Sequence, residues 1–296
     1  MNKLKEIITK DGTISLKSSF YNESFHSHLG ALNEAQTKFI NPSIIARFKK
    51  KSLNVLDICF GLGYNSALLF ENIKKQSSTI NWYGLEIDKR PLEYALSSKS
   101  FIDLWDKKII DIFNSLLIRG FFADDQYKCT LMWGDARKKI SSIPEDTCFD
   151  LIFLDGFSPQ KCPEIWSVEF LTQVKKKLNP NGSLITYTSS AAVRKTLIDL
   201  KLKIFNIKPN KEIFKSWSNG TLAMRNTNKI DHKHNPYVEY LSIMQKEHLC
   251  TKSSIPYRDP TLMNQAEEIL KVRKAEQELS KLKNTNVWRK KWDITK

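Results

Sequence analysis

The chain has 296 residues, 41% of them apolar and 27% charged, with 47 Lys and Arg against 32 Asp and Glu for a net charge of +15. That length suffices for a sizeable core, and no apolar run approaches the ~18 residues of a membrane span. The start, Met1-Asn2-Lys3-Leu4-Lys5-Glu6, lacks the apolar stretch and small-residue cleavage site of a secretion signal, so a cytoplasmic protein that meets polyanions is expected. Residues Thr13 to Phe25 alternate with a period near two and predict short strands. Asn33 to Phe48 predicts a helix interrupted at Pro42.

A regular alternation follows. Asn54 to Phe60 predicts a short apolar strand, Tyr64 to Lys75 a helix, and Ile80 to Ile87 a second strand. Pro91 to Ser98 opens the next helix, and Phe101 to Phe122 continues as one or two more. Cys129 to Trp133 predicts a third strand. Asp150 to Asp155 predicts a fourth, with the unbroken apolar run of a strand buried on both faces. Phe170 to Leu178 reads as a helix stopped by Asn179-Pro180-Asn181-Gly182, Ser183 to Thr188 as a fifth strand, and Ala191 to Leu200 as a helix. Phe205 to Ile207 and Thr221 to Met224 suit a closing antiparallel pair. Tyr237 to Lys246 suggests a short helix and Thr261 to Lys283 one amphipathic helix. Trp288-Arg289-Lys290-Lys291-Trp292 interleaves aromatics with cations, suited to docking on the core or to stacking on RNA. The expected fold class is α/β: a doubly wound, Rossmann-like domain over 51–226. A β-rich region with a lead-in helix precedes it over 1–50, and a helical extension follows over 227–296.

The chemistry gathers at strand ends, where such sheets bind ligands. Gly61 and Gly63 sit between the first strand and its helix and let the backbone approach a ligand. A G-x-G alone is shared by dinucleotide and S-adenosylmethionine folds. Asn65-Ser66 stands where a pyrophosphate turn wants its third glycine, which favours a cofactor without phosphates. Acids then close successive strands: Asp57; Glu86, placed to accept from ribose hydroxyls; Asp135, placed to accept from the adenine amino group; and Asp155, at the reacting end. Together they point to S-adenosylmethionine. The five cysteines (Cys59, Cys129, Cys148, Cys162, Cys250) form no C-x-x-C pair, and the pairs His26/His28 and His232/His234 lack further ligands, so no metal is expected. Between Gln160 and Arg225 twelve Lys and Arg face four Asp and Glu, which again points to RNA.

Leu154-Asp155-Gly156-Phe157-Ser158-Pro159-Gln160-Lys161-Cys162-Pro163-Glu164-Ile165-Trp166-Ser167 resembles the L-D-A-F-A-P-x-K-x-P-E-x-W-[ST] signature of MnmC-like methyltransferases. Phe60-Gly61-Leu62-Gly63-Tyr64-Asn65 is similar to that family's F-G-T-G-x-N. Glu86 with Pro91, Thr186-Tyr187-Thr188 with Val193-Arg194, and Gly30-Ala31-Leu32-Asn33-Glu34-Ala35 match further segments, so the resemblance spans about residues 11 to 225. It implies methylation of 5-aminomethyl-(2-thio)uridine at the tRNA wobble position to the 5-methylaminomethyl form. It also implies cofactor contacts from Phe60 and Asn65 and a substrate contact from Pro159. The basic pair the family carries after its last glycines is reduced to Gly220-Thr221-Leu222-Ala223-Met224-Arg225. The flavin-dependent oxidase domain of fused members has no room here, so the enzymes that install the 5-aminomethyl group are expected partners.

An alkylamine with pKa near 10 needs about 4 kcal/mol to shed its proton at pH 7. Asp155 is therefore the expected catalytic residue, orienting the amine and passing its proton on. Phe157 and Tyr187 are candidates to stack on a flipped-out base, and Lys161 and Arg194 to contact phosphates. Two rival readings remain: a polyamine-synthase-like aminopropyl transferase, and a non-catalytic RNA-binding module with a decayed cofactor site.

Overall fold

The computed structural model describes residues 3–49, 51–209, 217–225 and 235–294. Five parallel strands form its centre: β4 (Ser52–Ile58), β5 (Thr79–Glu86), β7 (Tyr127–Trp133), β8 (Phe149–Leu154) and β9 (Leu178–Thr186). Helices cover both sheet faces because alternate residues of these strands are apolar on both sides. Leu53, Val55, Leu151 and Phe153 belong to one buried cluster. Leu56, Ile58, Ile152 and Leu154 belong to the other.

With β6 (Phe121–Ala123), β10 (Lys203–Ile207), β11 (Gly220–Met224) and β12 (Val238–Glu239), the sheet order is β12-β10-β11-β9-β8-β4-β5-β7-β6. From β4 the chain first steps outward to β5 and β7, then returns to β8 and β9 on the other side. The reversal between β4 and β8 opens a crevice at their carboxyl ends, the binding place of doubly wound sheets. The antiparallel pair expected near the end is β10 with β11, and β11 inserts between β9 and β10.

Several local expectations need correction. The lead-in is helical over Ala31–Glu34 and Asn41–Ser43, with a π-helical stretch at Ala35–Ile40 between them. Pro42 lacks the N–H that would continue the ladder, so the distortion falls on the turn before it. Strand β1 (Leu4–Ile8) lies upstream of the alternating run and pairs with β2 (Ile14–Ser18), which pairs with β3 (Glu23–Ser24). Asn179 to Gly182 belongs to β9, beside a register shift between Phe149 and Leu151. Phe101 to Phe122 divides into helices Lys99–Ile102 and Lys107–Arg119 plus β6, with Asp106 capping the second helix.

Beyond the sheet, Tyr237 to Lys246 yields β12 and a helix at Ile243–His248. The long C-terminal helix shrinks to Ala266–Leu279, buries only Ile269 and leaves Leu279 86% exposed. Leu262 adopts a positive φ of 56°, which breaks any helix begun at Thr261. The aromatic–cationic tail forms a helix, Thr285–Lys291, and docks: Trp288 is buried, stacks on His248 at 4.0 Å and donates to the Met244 carbonyl. His232 and His234 lie outside the described residues.

Candidate active site

A cleft of about 990 Å³ lies over the carboxyl ends of β4, β5, β7 and β8. Its floor comes from the strand-to-helix turns. After β4 the backbone turns through Cys59 at φ 68° and Gly61 at φ 60°, and Gly63 at φ 93° caps the Tyr64–Gln76 helix. A Cβ on Gly63 would stand 2.7 Å from the Phe113 ring, so this glycine serves close packing under the cleft. Gly61 lines the cleft and donates its N–H to Glu86 Oε2 at 2.8 Å.

Glu86, 8% exposed, also accepts from the N–H groups of Ile87 and Asp88 through Oε1. Three backbone donors fix its carboxyl and leave acceptor capacity chiefly on Oε2. Burial pushes its pKa up against the pull of those donors. Asp135 caps the short helix after β7 and accepts from Arg137 through both oxygens. Burial raises Asp135, but the Arg137 hydrogen bonds outweigh it and leave the carboxyl lowered.

Asp155 directly follows β8 and lines the cleft. Its Oδ2 accepts from Asn65 Nδ2 at 2.7 Å. Burial and the nearby Glu34 carboxylate push its pKa up to about 8, against the Asn65 hydrogen bond and the Lys38 charge. Over it sits a roof from the N-terminal sheet and lead-in helix. Tyr21 stacks on Phe157 with ring centroids 4.2 Å apart, and Phe25 meets Phe157 edge-on. Glu23 Oε2 accepts from the Ser158 N–H at 2.8 Å, which ties roof to floor. Lys38 pairs with Glu34 and lies 5.5 Å above the Tyr187 ring.

Of the expected site residues, Gly61, Glu86, Asp135, Asp155, Phe157 and Tyr187 line this one cleft. Others do not. Asp57 is fully buried below it, accepts from Ser66 Oγ at 2.6 Å and has its pKa pushed up to about 7 by burial. Its partner Ser66 accepts from Trp82 Nε1, so Asp57 buttresses the first turn of the helix. The Phe60 ring, 5% exposed, packs edge-on against Trp82 and Phe113 in the core. Asn65 reaches the site only through Asp155. Pro159 is buried outside the cleft, and Lys161 is exposed outside it.

Arg194 cannot serve as a phosphate contact. It is 1% exposed, and its guanidinium donates to Thr221 Oγ1, Asn206 Oδ1, Ser218 Oγ and the Gly220 carbonyl. Burial lowers its pKa to about 9.

Tyr21, Glu23, Glu34, Lys38 and Arg137 are cleft residues that sequence reasoning missed. Only Glu34 left a signal, in the Gly30-to-Ala35 segment. His26 and His28 both line the cleft; His26 Nδ1 lies 3.0 Å from Ser15 Oγ, and burial lowers its pKa to about 4. Among the described residues no cluster of His, Cys, Asp and Glu suits a metal ion, and no helix is long and apolar enough to cross a membrane.

Comparison with known proteins gives the site its chemistry. Residues 103–218 match a family described as S-adenosyl-L-methionine-dependent methyltransferase. An uncharacterized protein of Methanocaldococcus jannaschii is 30% identical over 290 residues, covering 96% of this chain and 76% of that one. The tRNA 5-methylaminomethyl-2-thiouridine biosynthesis bifunctional protein MnmC of Aeromonas hydrophila is 24% identical over 204 residues. That match takes in 61% of this chain but 30% of the bifunctional protein.

The crystal structure of MnmC2 from Aquifex aeolicus superposes with a TM-score of 0.77 at 26% identity, over 94% of this chain and 86% of that one. A spermidine synthase structure, at TM-score 0.50 and 13% identity over 84% of this chain and 85% of that one, shares the fold alone. With a family match across the later strands, MnmC relatives over some three fifths of the chain and the MnmC2 structure over most of it, the chain belongs to the MnmC-like S-adenosylmethionine-dependent methyltransferases.

Proposed function

We propose that the protein methylates the primary amine of 5-aminomethyl-(2-thio)uridine at the wobble position of tRNA, giving the 5-methylaminomethyl form. The observation that carries this reading is the Asp155 carboxyl, fixed by Asn65 at the reacting end of the cleft and pushed up to about 8.

When bound, S-adenosylmethionine supplies an electrophilic methyl on a sulfonium. Glu86 would hold its ribose, Asp135 its adenine amino group, and the bare backbone at Gly61 its chain. Seven Asp or Glu, with Asp155 largely protonated at pH 7, and three Lys or Arg line the cleft, in a chain of net charge +15. That local negative field suits a sulfonium and an incoming ammonium, while the rest of the surface suits an RNA.

The amine must lose a proton to attack. Transfer from an alkylammonium of pKa near 10 to an ordinary carboxylate near 4 would cost about 8 kcal/mol, at roughly 1.4 kcal/mol per unit. Transfer to ionised Asp155 at about 8 costs about 3 kcal/mol, and ionising Asp155 at pH 7 about 1.4 more, so the carboxyl gives the proton a local acceptor without lowering the roughly 4 kcal/mol total. Asp155 thus orients the amine and receives its proton, and Asn65 positions Asp155. Tyr187 and Phe157 line the same cleft and are the candidates to stack on a flipped-out base, Phe157 with the face that Tyr21 does not cover. Lys161, which is exposed, is the candidate for a phosphate contact.

The setting would be the cytoplasm, alongside the enzymes that install the 5-aminomethyl group. Support comes from the Asp155-to-Ser167 signature and from relatives whose name includes 5-methylaminomethyl-2-thiouridine biosynthesis. The test is incubation of purified protein with labelled S-adenosylmethionine and tRNA carrying 5-aminomethyluridine. Label in 5-methylaminomethyluridine is expected; label in another nucleoside, or none with cofactor bound, refutes the substrate.

A further inference from the structure

The adenine-side carboxyl is held from outside its own domain. Arg137 grips Asp135 through Nη2 at 2.7 Å and Nε at 3.1 Å, then turns Nη1 away to Asp259 Oδ2 at 2.7 Å and the Asn264 carbonyl at 2.9 Å. Arg137 is 8% exposed and Asp259 fully buried, whereas the Asp135 side chain keeps 26% exposure at the cleft wall.

Asp259 is itself fixed. Its Oδ1 accepts from the Met263 and Asn264 N–H groups, and its own N–H donates to Glu169 Oε2 at 2.7 Å. One residue pair upstream, the Val168 N–H donates to the Tyr257 carbonyl at 2.9 Å, pinning the segment to the helix that follows β8. The helix bearing Arg137 has only four residues, Ala136–Lys139. Such an element does little to restrain a side chain carrying about 2 kcal/mol of rotamer entropy. The guanidinium is oriented by what it touches at both ends.

We propose that Asp259 and Arg137 are positioning residues for the cofactor: the C-terminal segment fixes Arg137, and Arg137 fixes Asp135 for recognition of the adenine amino group. The inference rests on the reading of Asp135 as the acceptor for that group. It makes residues 257–264 part of the cofactor site, reached through one arginine.

Asp259→Asn is a selective perturbation. Its Oδ1 can still cap the turn at Met263 and Asn264, which leaves an NH2 facing the Arg137 donor. The probes are S-adenosylhomocysteine and its analogue lacking the purine 6-amino group, titrated calorimetrically. The wild type should prefer the former about 10- to 100-fold, the worth of one hydrogen bond to a charged acceptor. Asp259→Asn and Arg137→Lys should each weaken S-adenosylhomocysteine several-fold, leave the analogue unchanged and so narrow the gap.

Equal losses for both ligands, or none for either, would overturn the inference and reduce the linkage to a structural one. If Asp259→Asn does not fold, Arg137→Lys decides alone. Asp135→Ala, which removes the acceptor, separates the two levels. A gap it closes, but the other variants leave intact, sinks this inference alone; a gap it leaves open sinks the adenine assignment as well.

Discussion

Asn65→Ala should move the pH dependence of methyl transfer without touching the cofactor. Asn65 donates to Asp155 Oδ2 at 2.7 Å, and this hydrogen bond pulls the carboxyl pKa down against burial and Glu34. A hydrogen bond to a charged group contributes about 1.5–3 kcal/mol, or roughly 1–2 pKa units at 1.36 kcal/mol each. Removing it should lift the Asp155 midpoint from about 8 toward the pKa of the amine itself. With a less ionised Asp155, kcat/KM at pH 7 should fall about 10- to 100-fold and recover partly above pH 9. The assay is initial-rate methylation of 5-aminomethyl tRNA from pH 6 to 10, with S-adenosylmethionine affinity measured at each pH. The limb belonging to the substrate amine should stay in place while the enzyme limb moves. An unchanged enzyme limb with normal cofactor affinity would refute Asp155 as the proton acceptor.

Asp57 should make stability fall with rising pH. Its folded pKa, about 7, lies above its unfolded value, so the folded state holds the extra proton between about pH 4 and 7 and stability drops across that window. Asp57→Asn should gain on the wild type over the same range and level off above it, as read by urea unfolding at several pH values. Arg194→Met should cost about 2–4 kcal/mol by stranding buried acceptors, with tRNA affinity of the folded fraction unchanged; a selective loss of tRNA binding would restore the phosphate role. Phe157→Ala should weaken tRNA binding by about 1–3 kcal/mol, the worth of one base stack, with smaller change in cofactor affinity in the same filter-binding and calorimetric series. Trp288→Ala should release the C-terminal helix, seen as faster amide exchange over 285–294, because its stack on His248 and its bond to the Met244 carbonyl are both lost.

The central sheet was legible because apolar runs such as Leu151 to Leu154 and the acids ending them are local signals. What stayed hidden depends on contacts distant in sequence. Asp259 meets Arg137 across 122 residues and Glu23 meets Ser158 across 135, and neither pairing has a motif. Arg194 illustrates the opposite failure. An arginine in a basic segment reads as a surface cation until β10 and β11 close over it with four acceptors. Thr261 to Lys283 has a helical period but few apolar partners: Ile269 is buried, Leu262 and Leu270 pack partly against the same cluster, and Val272 and Leu279 face solvent. The glycine loop is a local signal, whereas the packing of the Phe60 ring on Trp82 and Phe113, and of Gly63 under Phe113, depends on residues distant in sequence.

The most direct measurement is mass analysis of tRNA nucleosides from cells with and without this protein. Loss of 5-methylaminomethyl-(2-thio)uridine is expected, matched by accumulation of the 5-aminomethyl precursor, with the methylated nucleoside restored by the wild-type chain but not by Asp155→Ala. Unchanged 5-methylaminomethyl nucleosides in cells lacking the protein, with no other enzyme supplying the methyl group, would contradict it.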